Sequence, residues 1–79
     1  MKITITLRGS LRKYLEGENE RIVEVPEGCT CDEALRSIGI DYKEIKNFGF
    51  VAVNNMRVMI YAELKEGDVL KAYPRIYGG

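Results

Sequence analysis

The sequence predicts an α+β domain in which one main helix lies across one face of a mixed, four- to five-stranded sheet. Three observations predict it. Residues Lys2 to Arg8 alternate apolar and polar with period two, the pattern of a strand with one buried face. Residues 30 to 39 carry a helix start signal and a helix stop signal around a single apolar stripe. After them come mainly short strand-like runs separated by turn residues. A helix laid over a sheet is the economical way to bury both stripes, and this order of elements is that of a β-grasp.

Taken in order, Ile3, Ile5 and Leu7 form the inward face of the first strand, with Thr4, Thr6 and Arg8 facing out. Ser10 to Glu16 suits a short helical turn, Leu11 and Leu15 being four apart, and Gly17-Glu18-Asn19 breaks it. Glu20 to Val25 reads as a second strand with Val23 and Val25 on one face, closed by Pro26-Glu27-Gly28. Thr30-x-x-Glu33 is a capping box: the threonine hydroxyl takes an orphan amide and the glutamate reaches back to the cap. Cys31, Ala34, Leu35 and Ile38 follow at i, i+3, i+4 and i+7, a buried stripe. Gly39 stands where a left-handed cap is wanted, with Ile40 as its apolar companion. Asp41 to Lys46 suits one further turn of helix, Asp41 and Glu44 repeating the cap pattern. Phe48 to Val53, an Asn54-Asn55 turn and Met56 to Ile60 predict a hairpin. Leu64 anchors a polar connection, and Val69 to Tyr73 is the last strand. The expected organisation is one domain over residues 1–73 and a C-terminal tail over residues 74–79.

Composition narrows the function. The 79 residues are 46% hydrophobic and 30% charged, with a net charge of zero, so no basic surface suggests a nucleic-acid partner. No apolar run approaches the roughly 20 residues a membrane span needs, and Met1-Lys2 leads into a strand instead of a signal peptide; the expectation is a cytoplasmic protein. Two cysteines make no disulfide framework. Histidine is absent, which removes the usual nucleophile–base pairs and the commonest metal ligand. There is no phosphate-cradling glycine motif. No bound cofactor, no metal and no catalytic residue are expected in this chain.

What remains is the end of the sequence. Gly78-Gly79 gives a thin, unhindered segment without Cβ atoms that a narrow channel can accept. Pro74 to Gly79, fully stretched, spans about 20 Å. Tyr73, Pro74, Arg75, Ile76 and Tyr77 precede the glycines and are the candidate partner-binding residues; tyrosine and arginine are frequent anchors of interfaces. The bland alternative is a frayed terminus, with Tyr73 the last core or edge aromatic. Cys31 falls on the buried helix stripe and reads as inert, while Cys29 is undecided. Phe48, Phe50 and Met56 are either an exposed apolar patch or partly inward-facing. Arg8, Arg12 and Lys13, opposed by Glu16, Glu18 and Glu20, read as a solvated face.

Val25-Pro26-Glu27-Gly28, Thr30, the helix from Asp32 to Ile38, Val51-Ala52-Val53-Asn54, Leu64, Gly67-Asp68, Pro74 and the closing Gly78-Gly79 together resemble the MoaD/ThiS family of sulfur carriers, β-grasp relatives of ubiquitin. Length and the Ser10 to Glu20 segment are more similar to the molybdopterin-synthase small subunit than to the shorter thiamine carriers. Arg75, Thr6 and Arg57 depart from that branch, which often has a second proline, an apolar or aromatic residue and an apolar residue at these places. The resemblance implies that a ubiquitin-activating-type adenylyltransferase uses ATP to activate the carboxylate of Gly79, with Gly78 beside it. A thiocarboxylate then forms and donates sulfur to a synthase of the molybdopterin-synthase large-subunit or thiazole-synthase type. The same end also suits a ubiquitin-like modifier joined to lysines through Gly79. A third reading is a plain interaction module whose tail is incidental.

Overall fold

The computed structural model describes residues 1–16 and 18–75. Five strands form one sheet: β1 (Lys2–Leu7), β2 (Glu20–Glu24), β3 (Phe48–Val53), β4 (Met56–Val58) and β5 (Val69–Pro74). Their order is β2-β1-β5-β3-β4. Among the described residues only the β1–β5 pair is parallel; the other neighbours are antiparallel. One α-helix, α1 (Cys31–Ser37), covers one face, and two 3-10 helices, Gly9–Leu15 and Tyr42–Glu44, fill the connections. This is the α+β β-grasp expected, with β5 at the centre of the sheet.

The alternation of β1 sets the core. Ile3, Ile5 and Leu7 are buried together with Leu70 and Ala72 of β5, Val51 of β3 and Leu35 and Ala34 of α1. Leu11 and Leu15 are fully buried, so the short helical turn is a plug at one end of the core. Its break comes at Glu16, left-handed at φ 54°; Gly17 lies outside the described residues.

The start of α1 shows why the capping box matters. Four amides there lack helical partners. Cys31 N–H donates to Ala62 O and Asp32 N–H to Ile60 O, each at 2.9 Å. Glu33 N–H donates to Thr30 Oγ1 at 3.2 Å, while Thr30 N–H donates to Glu33 Oε1 at 2.9 Å. Ala34 N–H closes the first helical bond on Thr30 O. At the other end Ile40 N–H reaches Leu35 O and Gly39 N–H reaches Arg36 O, the paired bonds of a Schellman cap. Gly39 takes φ +88° there, and Ile40 is fully buried beneath it.

Three details differ from expectation. The strand expected to run from Met56 to Ile60 stops at Val58, because the chain turns to give the Ile60 and Ala62 carbonyls to the helix amides. Thr6, read as outward-facing, does lie on the face away from α1 but is buried. Register places it at the middle of the sheet, opposite Glu20 and Lys71. Strand β5 extends through Pro74, which pairs with Phe48. Ile76, Tyr77, Gly78 and Gly79 lie outside the described residues.

Candidate functional site

The site is built on the face of the sheet that α1 leaves open. Strand register puts Thr4 and Thr6 of β1, Lys71 and Tyr73 of β5, Phe50 and Ala52 of β3 and Arg57 of β4 on that face. A bulge between Phe48 and Phe50 decides how the two phenylalanines divide. The extra residue turns Phe48 into the core and Phe50 onto the open face. Phe50 and Tyr73 stack there, ring centroids 4.7 Å apart and planes 14° from parallel. The Arg57 guanidinium lies 4.6 Å from the Phe50 centroid. Tyr73 is therefore a half-buried residue of the open face and not a core aromatic.

The chain leaves the sheet after Pro74, at one edge of this aromatic pair. Arg8 N–H donates to Ala72 O at 3.1 Å, the last bond between β1 and β5. In a parallel ladder the next donor would be the amide of residue 74; proline has none, so the ladder ends there. On the other side Arg75 N–H donates to Asn47 O at 2.6 Å. Asn47 in turn donates from Nδ2 to the Ser10 hydroxyl at 2.5 Å. A cavity of about 380 Å³ opens beside the exit, walled by Phe48, Phe50, Met59 and Ile60, with Arg57 and Arg75 among its lining residues. Tyr42 also lines it; its hydroxyl shares a 2.8 Å hydrogen bond with that of Tyr61. That bond, with burial, pushes Tyr42 up to about 12, so it stays neutral.

Of the candidate partner-binding residues, Tyr73, Pro74 and Arg75 are brought together at this exit, while Ile76, Tyr77 and both terminal glycines lie outside the described residues. Met56 is exposed, but on the side of β4 opposite Arg57. Asn54, Gly67 and Asp68, quoted for the family resemblance, hold the start of β5. Val69 N–H donates to Asn54 Oδ1 at 3.0 Å, Asn54 Nδ2 to Asp68 Oδ1 at 2.9 Å, and Gly67 N–H to Lys2 O at 2.8 Å. Both cysteines are buried, Cys29 included. Burial pushes the Cys31 thiol up to about 11, and burial with the nearby Glu33 carboxylate raises Cys29. Neither is an activated thiolate. Among the described residues no group of metal-ligating side chains assembles, and no helix is long and apolar enough to cross a membrane. Sequence reasoning missed Gly9, Asn47 and Gly49. No local pattern marks them, since they come together only where two segments meet around Pro74.

By sequence, no family model and no curated protein matches the chain. By structure, it is a ubiquitin-like domain whose open sheet face adjoins the departing last strand, and its solved neighbours agree. A protein assigned as molybdopterin converting factor subunit 1 from Pyrococcus furiosus is 26% identical, with a TM-score of 0.73 over 96% of this chain and 99% of that one. SAMP1 from Haloferax volcanii is 21% identical, with a TM-score of 0.78 over the whole of both chains. A chain in the complex of subunits 1 and 2 of molybdopterin-converting factor from Helicobacter pylori is 19% identical, with a TM-score of 0.63 over 100% of each. These neighbours are ubiquitin-like proteins of the MoaD/ThiS type, and the resemblance seen in the sequence extends to the fold.

Proposed function

We propose that this chain is a sulfur carrier whose Gly79 cycles between a carboxylate and a thiocarboxylate. One observation carries the reading most of the way. The central strand of a MoaD-like β-grasp ends beside a half-buried aromatic pair on the open face and leads, four residues past Arg75, to Gly79. An adenylyltransferase of the ubiquitin-activating type is the first partner. A carboxylate oxygen of Gly79 attacks the α-phosphorus of ATP and pyrophosphate leaves. Hydrosulfide then attacks the acyl carbon and AMP leaves with the bonding pair. The resulting thiocarboxylate hands sulfur to a synthase, of the molybdopterin-synthase type in preference to the thiazole-synthase type. The carrier supplies no catalytic side chain; Phe50, Tyr73, Pro74 and Arg75, with Ile76 and Tyr77, supply the docking surface.

Intact-protein mass spectrometry after incubation with ATP, sulfide and cell extract tests this. The expected result is a gain of one oxygen-to-sulfur exchange, localised to Gly79. Deleting Gly79, or placing a bulky residue at position 78, should abolish it while circular dichroism stays native. A second reading draws on the likeness to SAMP1, described as a small archaeal modifier protein. In that reading a lysine amine attacks the adenylate and an isopeptide bond forms. High-molecular-weight conjugates ending in Gly79, with no sulfur exchange, would favour it. A chain altered in neither way defeats both.

A further inference from the structure

The base of the tail is held more tightly than a strand end requires. Pro74 sits between two glycines from separate segments. A Cβ on Gly49 would stand 2.7 Å from Pro74 O, 2.8 Å from Pro74 C and 2.9 Å from Arg75 N. All three are backbone atoms, so no side-chain rotation relieves the overlap. On the other side a Cβ on Gly9, which has φ +53°, would stand 2.9 Å from Pro74 Cγ. The Asn47 carbonyl takes the Arg75 amide at 2.6 Å, and the Asn47 side chain is tied to Ser10, next to Gly9. The Pro74–Arg75 peptide is thus fixed by the segment after β1 and the segment entering β3. These elements are far apart in sequence and meet at Pro74.

We infer that Gly9, Asn47 and Gly49 form a clamp that sets where the chain beyond Arg75 departs, and that they are positioning residues for the reaction at Gly79. The inference rests on the carrier reading above. Docking and positioning are separable in this design. The aromatic pair and Arg57, the part of the docking surface held by the strands, keep their place when the clamp shifts, whereas the acyl carbon must arrive in register with the partner's nucleotide. A misplacement of about 1 Å at a reacting group can cost on the order of a hundredfold in rate. Shifting the clamp should therefore lower kcat and leave KM nearly unchanged.

The test uses full-length chains and a purified ubiquitin-activating-type adenylyltransferase that modifies the wild-type chain. Gly49→Ala is expected to lower kcat roughly 10- to 100-fold with KM within about threefold. Hydrogen exchange at the Arg75 amide should accelerate while the β1–β2 amides keep their protection. Gly9→Ala is expected to show a smaller effect that shrinks in a Pro74→Ala background, where Cγ is gone and only the strain of alanine at φ +53° is left. An unchanged kcat in folded Gly49→Ala overturns the inference, as does a loss that merely tracks melting temperature across the variants. If Gly49→Ala does not fold, the Gly9→Ala cycle decides: dependence on Pro74 Cγ supports the clamp, and independence overturns it. A wild-type chain that no adenylyltransferase modifies at Gly79 refutes the carrier function itself, a result distinct from equal modification of wild type and Gly49→Ala.

Discussion

The Phe50–Tyr73 stack gives the sharpest separation of docking from folding. Both rings are half-buried on the open face and both are held by strands, so replacing either with alanine leaves the backbone ladder intact. Full burial of a phenylalanine is worth about 3–5 kcal/mol on truncation. At half burial, Phe50→Ala should cost about 2 kcal/mol of stability by the same rule. A double-mutant cycle should return a coupling of about 0.5–1.5 kcal/mol for rings in this offset-stacked geometry. Arg57 over Phe50 adds about 0.5–1 kcal/mol of its own, which Arg57→Ala would reveal only when Phe50 is present. In a domain this small each kcal/mol moves the melting temperature by about 4–8 °C, so urea and thermal melts resolve these terms. Binding to the adenylyltransferase, followed by calorimetry, should fall by at least about 2 kcal/mol for either single variant if the pair is an interface anchor. A binding loss no larger than about twofold, or under 0.5 kcal/mol, would refute the docking role. A melting temperature as depressed as that of a fully buried leucine deletion would assign the pair to the core instead.

Further predictions follow from the helix, the core, the thiols and Arg75. Thr30→Ala removes the hydroxyl that accepts from Glu33 N–H and should cost about 1 kcal/mol, read as a lower denaturation midpoint with an unchanged slope. Leu35→Ala, at a fully buried position, should cost about 2–5 kcal/mol. The folded Cys31 thiol, raised from 9.0 to about 11, holds its proton where the unfolded thiol loses it. The folded state then binds more protons between those values, so stability should fall by up to about 3 kcal/mol as pH rises through that window. Melts of Cys31→Ala should show a shallower alkaline arm, and an identical arm would refute the assignment. Arg75→Ala should weaken adenylyltransferase binding while shifting the melting temperature by less than about 4 °C, since among the described residues its hydrogen bond comes from the backbone amide and not the side chain.

What could be read in the sequence was whatever depends on local pattern. The capping box, the Gly39–Ile40 cap, the Ile3–Ile5–Leu7 alternation and the Asn54-Asn55 turn each declare themselves within a few residues, and each stands where the pattern placed it. What could not be read depends on which strands become neighbours. The division of Phe48 from Phe50 needs the bulge, and the bulge needs β5 alongside. The early end of β4 needs a helix N-terminus within reach of the Ile60 and Ala62 carbonyls. Thr6 has the spacing of a solvent-facing residue, but its strand is flanked by β2 and β5, and it is buried there. Gly49 reads in sequence as an interruption of a strand; its use is the room it leaves for the Pro74 carbonyl.

The sheet order ties these observations together. A chain that ended on an edge strand would present its terminus beside a single neighbour, and any docking surface on that sheet would lie to one side. Here the last strand is central, flanked by β1 on one side and β3 on the other. Its end can therefore be gripped from both sides, by Gly9 and Ser10 after β1 and by Asn47 and Gly49 around the start of β3. The same centrality places Tyr73, one residue before Pro74, within the open face and in stacking contact with Phe50. A partner that covers this face thereby lies against the point from which residues 76–79 continue. Parallel pairing of the first and last strands is what makes this possible: it brings both to the middle with the later one ending beside the β1 exit. Moving the aromatic pair or loosening the glycines should then have different signatures, affinity for the first and turnover for the second, although the two sites are only a residue or two apart along β5.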